Sequence, residues 1–585
     1  MNRTTLHVIW IALLLVSGAW LRLRVLDQDP PASMELHFVC DEGWWVHNAR
    51  NMALFDRWIV DDFNQSLLAS PTFCLSVYKL YKLFGVSLAS SRLASALSGL
   101  LCIPLFYLIL VKLICRSSAA LATSFLAIGF GFVTLNRLAL IDSMAFLLAL
   151  LSWLLIERLG DRVWGMYVAG MMAGIAVITK SYVWALAPVL VSIAAARMIR
   201  TRKPLRTVLL ETCLFGFGIM TIYAFWHKAL YVGFREQYRI MYALWNDGNI
   251  PDSVGQMLRN IPSTFLRTDV NGIFLPHFLA LNSILILLAA WRLVQLLPDR
   301  RMHFRSWCAQ IPPIDIDSLI WLVLVGLEIT FLTAKPFRRY IFLYPPLMIL
   351  AARSSLQPAF QGRASHAGFR ILRSILLAVP LTLLLGVPLI AQLISRGPQN
   401  ALEGQLNGPR AMGPAMLLAT GMFLMCAFGL GWFLRRPIRG IPIWLALAIF
   451  IGADGYRHAD YLFHPSFDLR DTSRRLEELY LKPGDYFLGG LAHTLSLEND
   501  AHPIAIWGRE ETGLVLNRDP IRRFHPSYMI VLRSLDGNPW FPENRYERYV
   551  TESEFVETLN LLPLRHGGFR VVADLYRLHN EEKSP

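Results

Sequence analysis

Thirteen apolar stretches divide this chain, and most of them approach the ~20 residues that a helix needs to cross a bilayer. They fall near 6–26, 88–111, 118–135, 138–156, 163–179, 181–199, 207–230, 276–297, 317–334, 340–352, 371–394, 412–434 and 440–455. Those at 163–179 and 340–352 are short for a span. Only 17% of the residues are charged and 55% are hydrophobic, against about 25% charged in a typical soluble domain. A soluble enzyme, a disordered scaffold and a fibrous repeat are all excluded by that balance. The expected fold class is a polytopic α-helical membrane protein with about 13 transmembrane helices. The apolar run Val8–Trp20 has no small-residue cleavage site ahead of Arg22 and Arg24, so it reads as a retained first span.

Charge separates two regions. Residues 456–585 hold 20 of the 42 acids and 16 of the 56 bases, leaving the first 455 residues strongly basic. With the N-terminus in the cytoplasm, the short internal connections carry nineteen Lys and Arg and the short external ones seven, which satisfies the positive-inside rule. The expected organisation is a transmembrane domain, 1–455, with long external loops at 27–87 and 231–275, and a soluble extracytoplasmic α/β domain, 456–585. The expected location is the plasma (inner) membrane. The first loop ends in an apolar piece, Phe73–Phe84, suited to lying along the membrane surface. In the tail, Tyr528–Leu532 and Arg570–Leu575 read as strands, and Pro483-Gly484 turns a helix near 471–481 into a strand near 485–488. Thr551 followed by Glu554 reads as a capping box opening a helix Glu552–Leu561. Seven cysteines show no CxxC spacing; Cys40 and Cys74 share the first loop and are candidates to pair.

The informative charges are those expected outside. Asp142 lies about one turn inside a span, five residues after Arg137. An ionised Asp there costs roughly 2.5 kcal/mol or more unless it faces a partner or a cavity, so either an Arg137–Asp142 pair or a wet site is expected. Lys180 marks another external junction, where a snorkelling lysine is the simpler reading. Lys335, Arg338 and Arg339, followed by Tyr340, mark a third. Together these cations suggest an anion-binding collar, and Arg suits forked contacts with phosphate. On the same expected face, Asp41-Glu42 is followed by Trp44, Trp45 and His47. A carboxylate pair in a loop is ordinarily solvated surface; beside a cationic collar it becomes a candidate acid/base centre. His37, His47, Asp61 and Asp62 match no closed-site metal spacing, so no metal or other cofactor is expected, although a divalent ion is compatible with those side chains.

The Asp41-Glu42 element, Tyr81-Lys82-Leu83-Phe84-Gly85 with Ser91-Arg92-Leu93, Arg137 with Asp142, Thr179-Lys180, and Arg339-Tyr340 with Pro345-Pro346 together resemble the lipid-linked-sugar glycosyltransferases of the GT-C fold. The likeness is to the bacterial branch grouped with protein O-mannosyltransferases and aminoarabinose (lipid A) transferases, and it covers roughly residues 1–350. It implies inverting transfer of a sugar from a polyprenyl phosphate to an acceptor on the external face. It also implies Asp41 as base with Glu42 beside it, and a donor phosphate held by Arg339, with Arg338, Lys335, Lys180 and Arg137 as further contacts. Asp142, His47 and Tyr340 would line the cavity. The Lys-Pro-Pro element of several relatives is replaced here by Ala69-Ser70-Pro71-Thr72. Expected partners are the polyprenyl-phosphate donor, an envelope protein, lipid or glycan as acceptor, and the bilayer, with no nucleic acid. The alternative reading is a transporter or flippase of a lipid-linked saccharide; the lack of an internal repeat speaks against it.

Overall fold

The computed structural model describes residues 3–31, 36–63, 65–180, 186–201, 203–240, 282–296, 311–331, 337–354, 443–509, 514–534, 549–562 and 571–579, with residues 243, 255 and 278. The chain is mostly helical, with a sheet near its C-terminus. The helices of the first half are α1 (Arg3–Leu23), α2 (Leu36–Phe55), α3 (Gln65–Ala69), α4 (Pro71–Phe84), α5 (Leu88–Leu113), α6 (Arg116–Ile128) and α7 (Phe130–Asn136). They continue as α8 (Asp142–Leu159), α9 (Val163–Thr179), α10 (Leu186–Arg200) and α11 (Leu205–Trp226). Then come α12 (Ser283–Leu296), α13 (Pro313–Phe331), a 3-10 segment (Phe337–Leu343), α14 (Tyr344–Arg353) and α15 (Ile443–Phe463).

Among the described residues, two helices are long and apolar enough to cross a membrane: α5, and α11 with its continuation to Ile240. The bent pair α6–α7 makes a third if it counts as one span. The apolar parts of α1, α9, α10 and α12 run to 17 residues or fewer, and the expected spans at 371–394 and 412–434 lie outside the described residues.

The expected first external loop is largely helical. Its end, α4, buries Phe73, Cys74, Val77 and Tyr81 and exposes Leu75, Leu83 and Phe84, the two-sided pattern of a helix lying along an interface. Cys74 is a buried free thiol that accepts a hydrogen bond from Ser66, and the Cys40 side chain lies outside the described residues.

The α6–α7 helix breaks by 55° at Gly129, which frees backbone groups inside the protein that must find other partners. Arg22 of α1 donates to the carbonyls of Leu126 and Ala127 and to Asn136 Oδ1. His458 of α15 bonds the Ile128 carbonyl, and Asp454 accepts from the Phe130 amide. On other faces, Asp315 joins Arg292 and Arg353 in a buried three-charge cluster, and Lys203 pairs with Glu211.

The tail packs α16 (Asp468–Leu479) and the short α17 (Ala492–Leu495) on a five-stranded sheet of order β2-β1-β5-β7-β6. Here β1 is Tyr486–Gly489, β2 His502–Ile504, β3 Trp507–Arg509, β4 Leu514–Leu516, β5 Tyr528–Ser534, β6 Ser553–Leu562 and β7 Val571–Leu578. β1 runs parallel to β2 and β5, while β7 is antiparallel to β5 and β6. The expected strands near 485–488, 528–532 and 570–575 form. The expected helix Glu552–Leu561 does not: this segment is β6, paired along its length with β7. Leu559 and Leu561 face the core at a period of two.

Candidate active site

The site is organised by α2, whose successive side chains step by about 100° and so face three directions. One face meets the helical bundle. Glu42 is fully buried and receives both arms of the Arg92 guanidinium, Nε at 2.6 Å and a terminal nitrogen at 2.7 Å. Its Oε1 also accepts from the Ala139 amide at 2.8 Å. Arg92 is completed by the carbonyls of Leu26 and Gln28. A carboxylate whose two oxygens are both taken by three donors is fixed in orientation and has little room to meet a substrate.

A second face meets the tail. Gly43, His47 and Arg50 lie at i, i+4 and i+7. The Gly43 amide donates to Thr494 Oγ1, and the His47 ring lies against His493 with centroids 4.4 Å apart. Arg50 donates to the carbonyls of Ser496, Asn499 and Ala501 at 2.6–2.8 Å. Burial among these groups lowers the Arg50 pKa to about 10.

The third face carries Asp41, Trp45 and Asn48. Asn48 is fixed by the Trp58 carbonyl, by Ser66 and by the Leu67 amide. Asp41 is buried, 9% exposed.

The turn between α7 and α8 carries the next group. Arg137 does not pair with Asp142. It donates to the carbonyls of Leu21 and Val25 at the end of α1 and lies over the Tyr461 ring. The two residues sit at opposite ends of the short link between α7 and α8, and each is taken up by a different neighbour. Asp142 instead forms a buried ion pair with Lys180, at the end of α9. Lys180 Nζ lies 5.5 Å from the centroid of Phe342, in the 3-10 segment that also holds Arg339 and Tyr340. Both of these are buried, and Tyr340 stacks on Phe278 at 5.0 Å. Lys335 and the Arg338 side chain lie outside the described residues.

Glu42 of α2 is thus bonded to the turn before Asp142, and Asp142 through Lys180 to the 3-10 segment that holds Arg339. Just after α2, an open cleft of about 550 Å³ is lined by Trp58, Ile59, Leu67, Pro71, Leu75, Leu230 and Phe234, together with Arg57. Of the four side chains weighed as metal ligands, the fold brings His47 and Asp61 to 3.3 Å. Asp62 instead turns to Asn517 and Arg523 of the tail, and the His37 side chain lies outside the described residues. Sequence reasoning missed Arg50, His493 and the pairing role of Arg92. A guanidinium inside the apolar stretch 88–111 was the available signal for the last.

Residues 71–230 match the family model described as dolichyl-phosphate-mannose-protein mannosyltransferase. No curated protein matches the sequence. Among solved structures, ArnT from Cupriavidus metallidurans bound to undecaprenyl phosphate is 16% identical, with 98% of each chain covered and a TM-score of 0.50. The same protein in the apo state gives the same values. The Archaeoglobus fulgidus oligosaccharyltransferase tethered to an acceptor peptide is 11% identical, covering 90% of this chain and 69% of that one, with a TM-score of 0.43. The matched segment and the ArnT fold together indicate a membrane glycosyltransferase of the GT-C fold.

Proposed function

We propose that this chain moves a sugar, with inversion, from a polyprenyl-phosphate donor to an acceptor hydroxyl on the outer face of the membrane. The observation that carries the reading is the buried Asp142–Lys180 pair, which stands between the turn bonded to Glu42 of α2 and the 3-10 segment that holds Arg339. It places an element near the start of the chain and a segment some three hundred residues later on either side of one buried ion pair.

In this reading Asp41 takes the proton from the attacking hydroxyl as the glycosidic bond breaks. The leaving phosphate gains negative charge, and Arg339, with Arg338 and Lys335, favours the transition state by meeting that charge. Arg137 and Lys180 are already engaged by carbonyls and by Asp142, so they position the junction rather than grip the donor. Glu42, locked to Arg92, likewise positions α2 and sets the direction of its neighbour Asp41. The apolar cleft beside Trp58 suits the donor's polyprenyl chain, as does the binding of undecaprenyl phosphate by ArnT. The N-terminus would be cytoplasmic, with α2 and the tail outside.

Proteoliposomes supplied with synthetic polyprenyl-phosphate sugars and candidate acceptors test this. Asp41→Asn should abolish turnover while leaving donor binding nearly intact, because an amide cannot take the proton; unchanged turnover removes Asp41 from the role. Arg339→Ala should weaken donor binding, and wild-type affinity with wild-type rate discards the phosphate assignment. Movement of labelled donor across the bilayer without a glycosylated product would replace transfer with transport.

A further inference from the structure

We infer that His47, Asp61 and His493 hold a divalent transition-metal ion of the zinc class, which fastens α2 to the tail. The three side chains come from α2, from the segment after it and from α17, and all are buried. One ligand atom from each lies within 4.8 Å of the others. His47 Nε2 and Asp61 Oδ1 are 3.3 Å apart. Two atoms each about 2.0–2.1 Å from one zinc, at a tetrahedral angle, are about 3.3 Å apart.

The hydrogen bonding points the same way. Contacts of His47 Nε2 with Asp61 at 3.3 Å and with Asn51 Nδ2 at 3.2 Å involve two of the three residues and leave the third, His493, unexplained. Among the described residues, neither ring nitrogen of His493 has a hydrogen-bond partner, and neither do His47 Nδ1 and Asp61 Oδ2. Buried polar atoms are ordinarily satisfied, and a neutral imidazole offers one donor and one acceptor. An ion between the rings gives His493 a partner that no described side chain supplies. The surroundings suit a closed site, since the Phe63 ring lies 5.2 Å from His493 and 5.9 Å from His47, with Trp44 behind it. Two imidazoles and one carboxylate with a fourth position for water form a zinc donor set, whereas magnesium and calcium favour all-oxygen shells.

The geometry also explains Gly43. A Cβ there would meet the backbone of His493 and Thr494 at 2.3 Å, so only glycine lets α17 approach closely enough for the two imidazoles to converge. The site stands independently of the sugar-transfer reading, because its ligands face the tail rather than the bundle.

The full-length protein, purified in detergent, stripped with a chelator and titrated with Zn²⁺ alone, tests the inference. The expected result is about one zinc per chain, measured by elemental analysis, together with a rise in melting temperature. His493→Ala and Asp61→Asn should lose the ion and its thermal effect. Shortening His493 also leaves a gap in the packing, so His493→Cys serves as the second variant; it supplies a thiolate and should retain zinc. Asp41→Asn should bind zinc like the wild type. Less than about a tenth of an equivalent in the wild type, or equal binding by wild type and His493→Ala, overturns the inference.

Discussion

Two adjacent acids, Asp41 and Glu42, have different fates because one helical step turns them about 100° apart. Glu42 is bound on both oxygens by Arg92, and this pair is the clearest place to test how the site is held. Arg92→Gln leaves Glu42 buried without its cation and should cost about 3–5 kcal/mol, read as a lower melting temperature. The double variant Glu42→Gln with Arg92→Gln should recover much of that loss, because no isolated charge remains; equal losses in single and double variants would show that the charge is not what matters. The doublet itself was legible in the sequence as a candidate acid/base element. Its division of labour was not, because the partner of Glu42 lies 50 residues away. The Asp142 reading shows the same limit: the need for a partner was visible, but the partner is Lys180 rather than Arg137.

Among the elements, α2 is the junction of the molecule, and Gly43 is its tightest point. Gly43→Ala should displace α17 and cost about 1–3 kcal/mol by overpacking, seen as a lower melting temperature and faster proteolysis of the tail. A variant with wild-type melting and protection would show that α17 yields at no cost. The helices were legible from apolar runs, as was the two-sided α4. Strand β6 was not. Thr551 and Glu554 fit a helix start, but the Phe, Val, Thr and Leu residues of Ser553–Leu562 pair with β7, and tertiary pairing prevails over a local cap signal. The helical character of residues 36–55 was also missed, because its apolar positions serve three different neighbours and leave no single stripe for a periodicity argument to find.

At the scale of the whole molecule, the tail is joined to residues 29–62 by Arg50, by Asp62 with Arg523, and by Asp29 with the amides of Asp468 and Leu469. His502 lies in this joint, stacked 3.7 Å from Phe55 and 4.8 Å from Tyr486. Burial, helped by the charge of Arg50, lowers its pKa from 6.5 to about 4. The unfolded chain therefore binds more protons between those values, so stability present above pH 6.5 is lost as pH falls toward 4. Melting temperature should drop across that interval, and His502→Phe should flatten part of the drop; an identical pH profile in the variant would exclude this residue as its source. The sheet-bearing character of the C-terminal segment was legible from its strand-like runs, but its engagement with α2 was not, since that rests on contacts between residues some 450 positions apart.

That separation has a consequence for biosynthesis. Arg50 and its first carbonyl on the tail are 446 residues apart, so a ribosome adding about 5–20 residues per second needs roughly 20–90 s between making one and making the other. Throughout that interval the early helix waits with a buried-type cation and a glycine notch still open to water. A chain stalled short of residue 496 would leave Arg50 without any of its three carbonyl partners, so this joint closes only once the last hundred residues are being made.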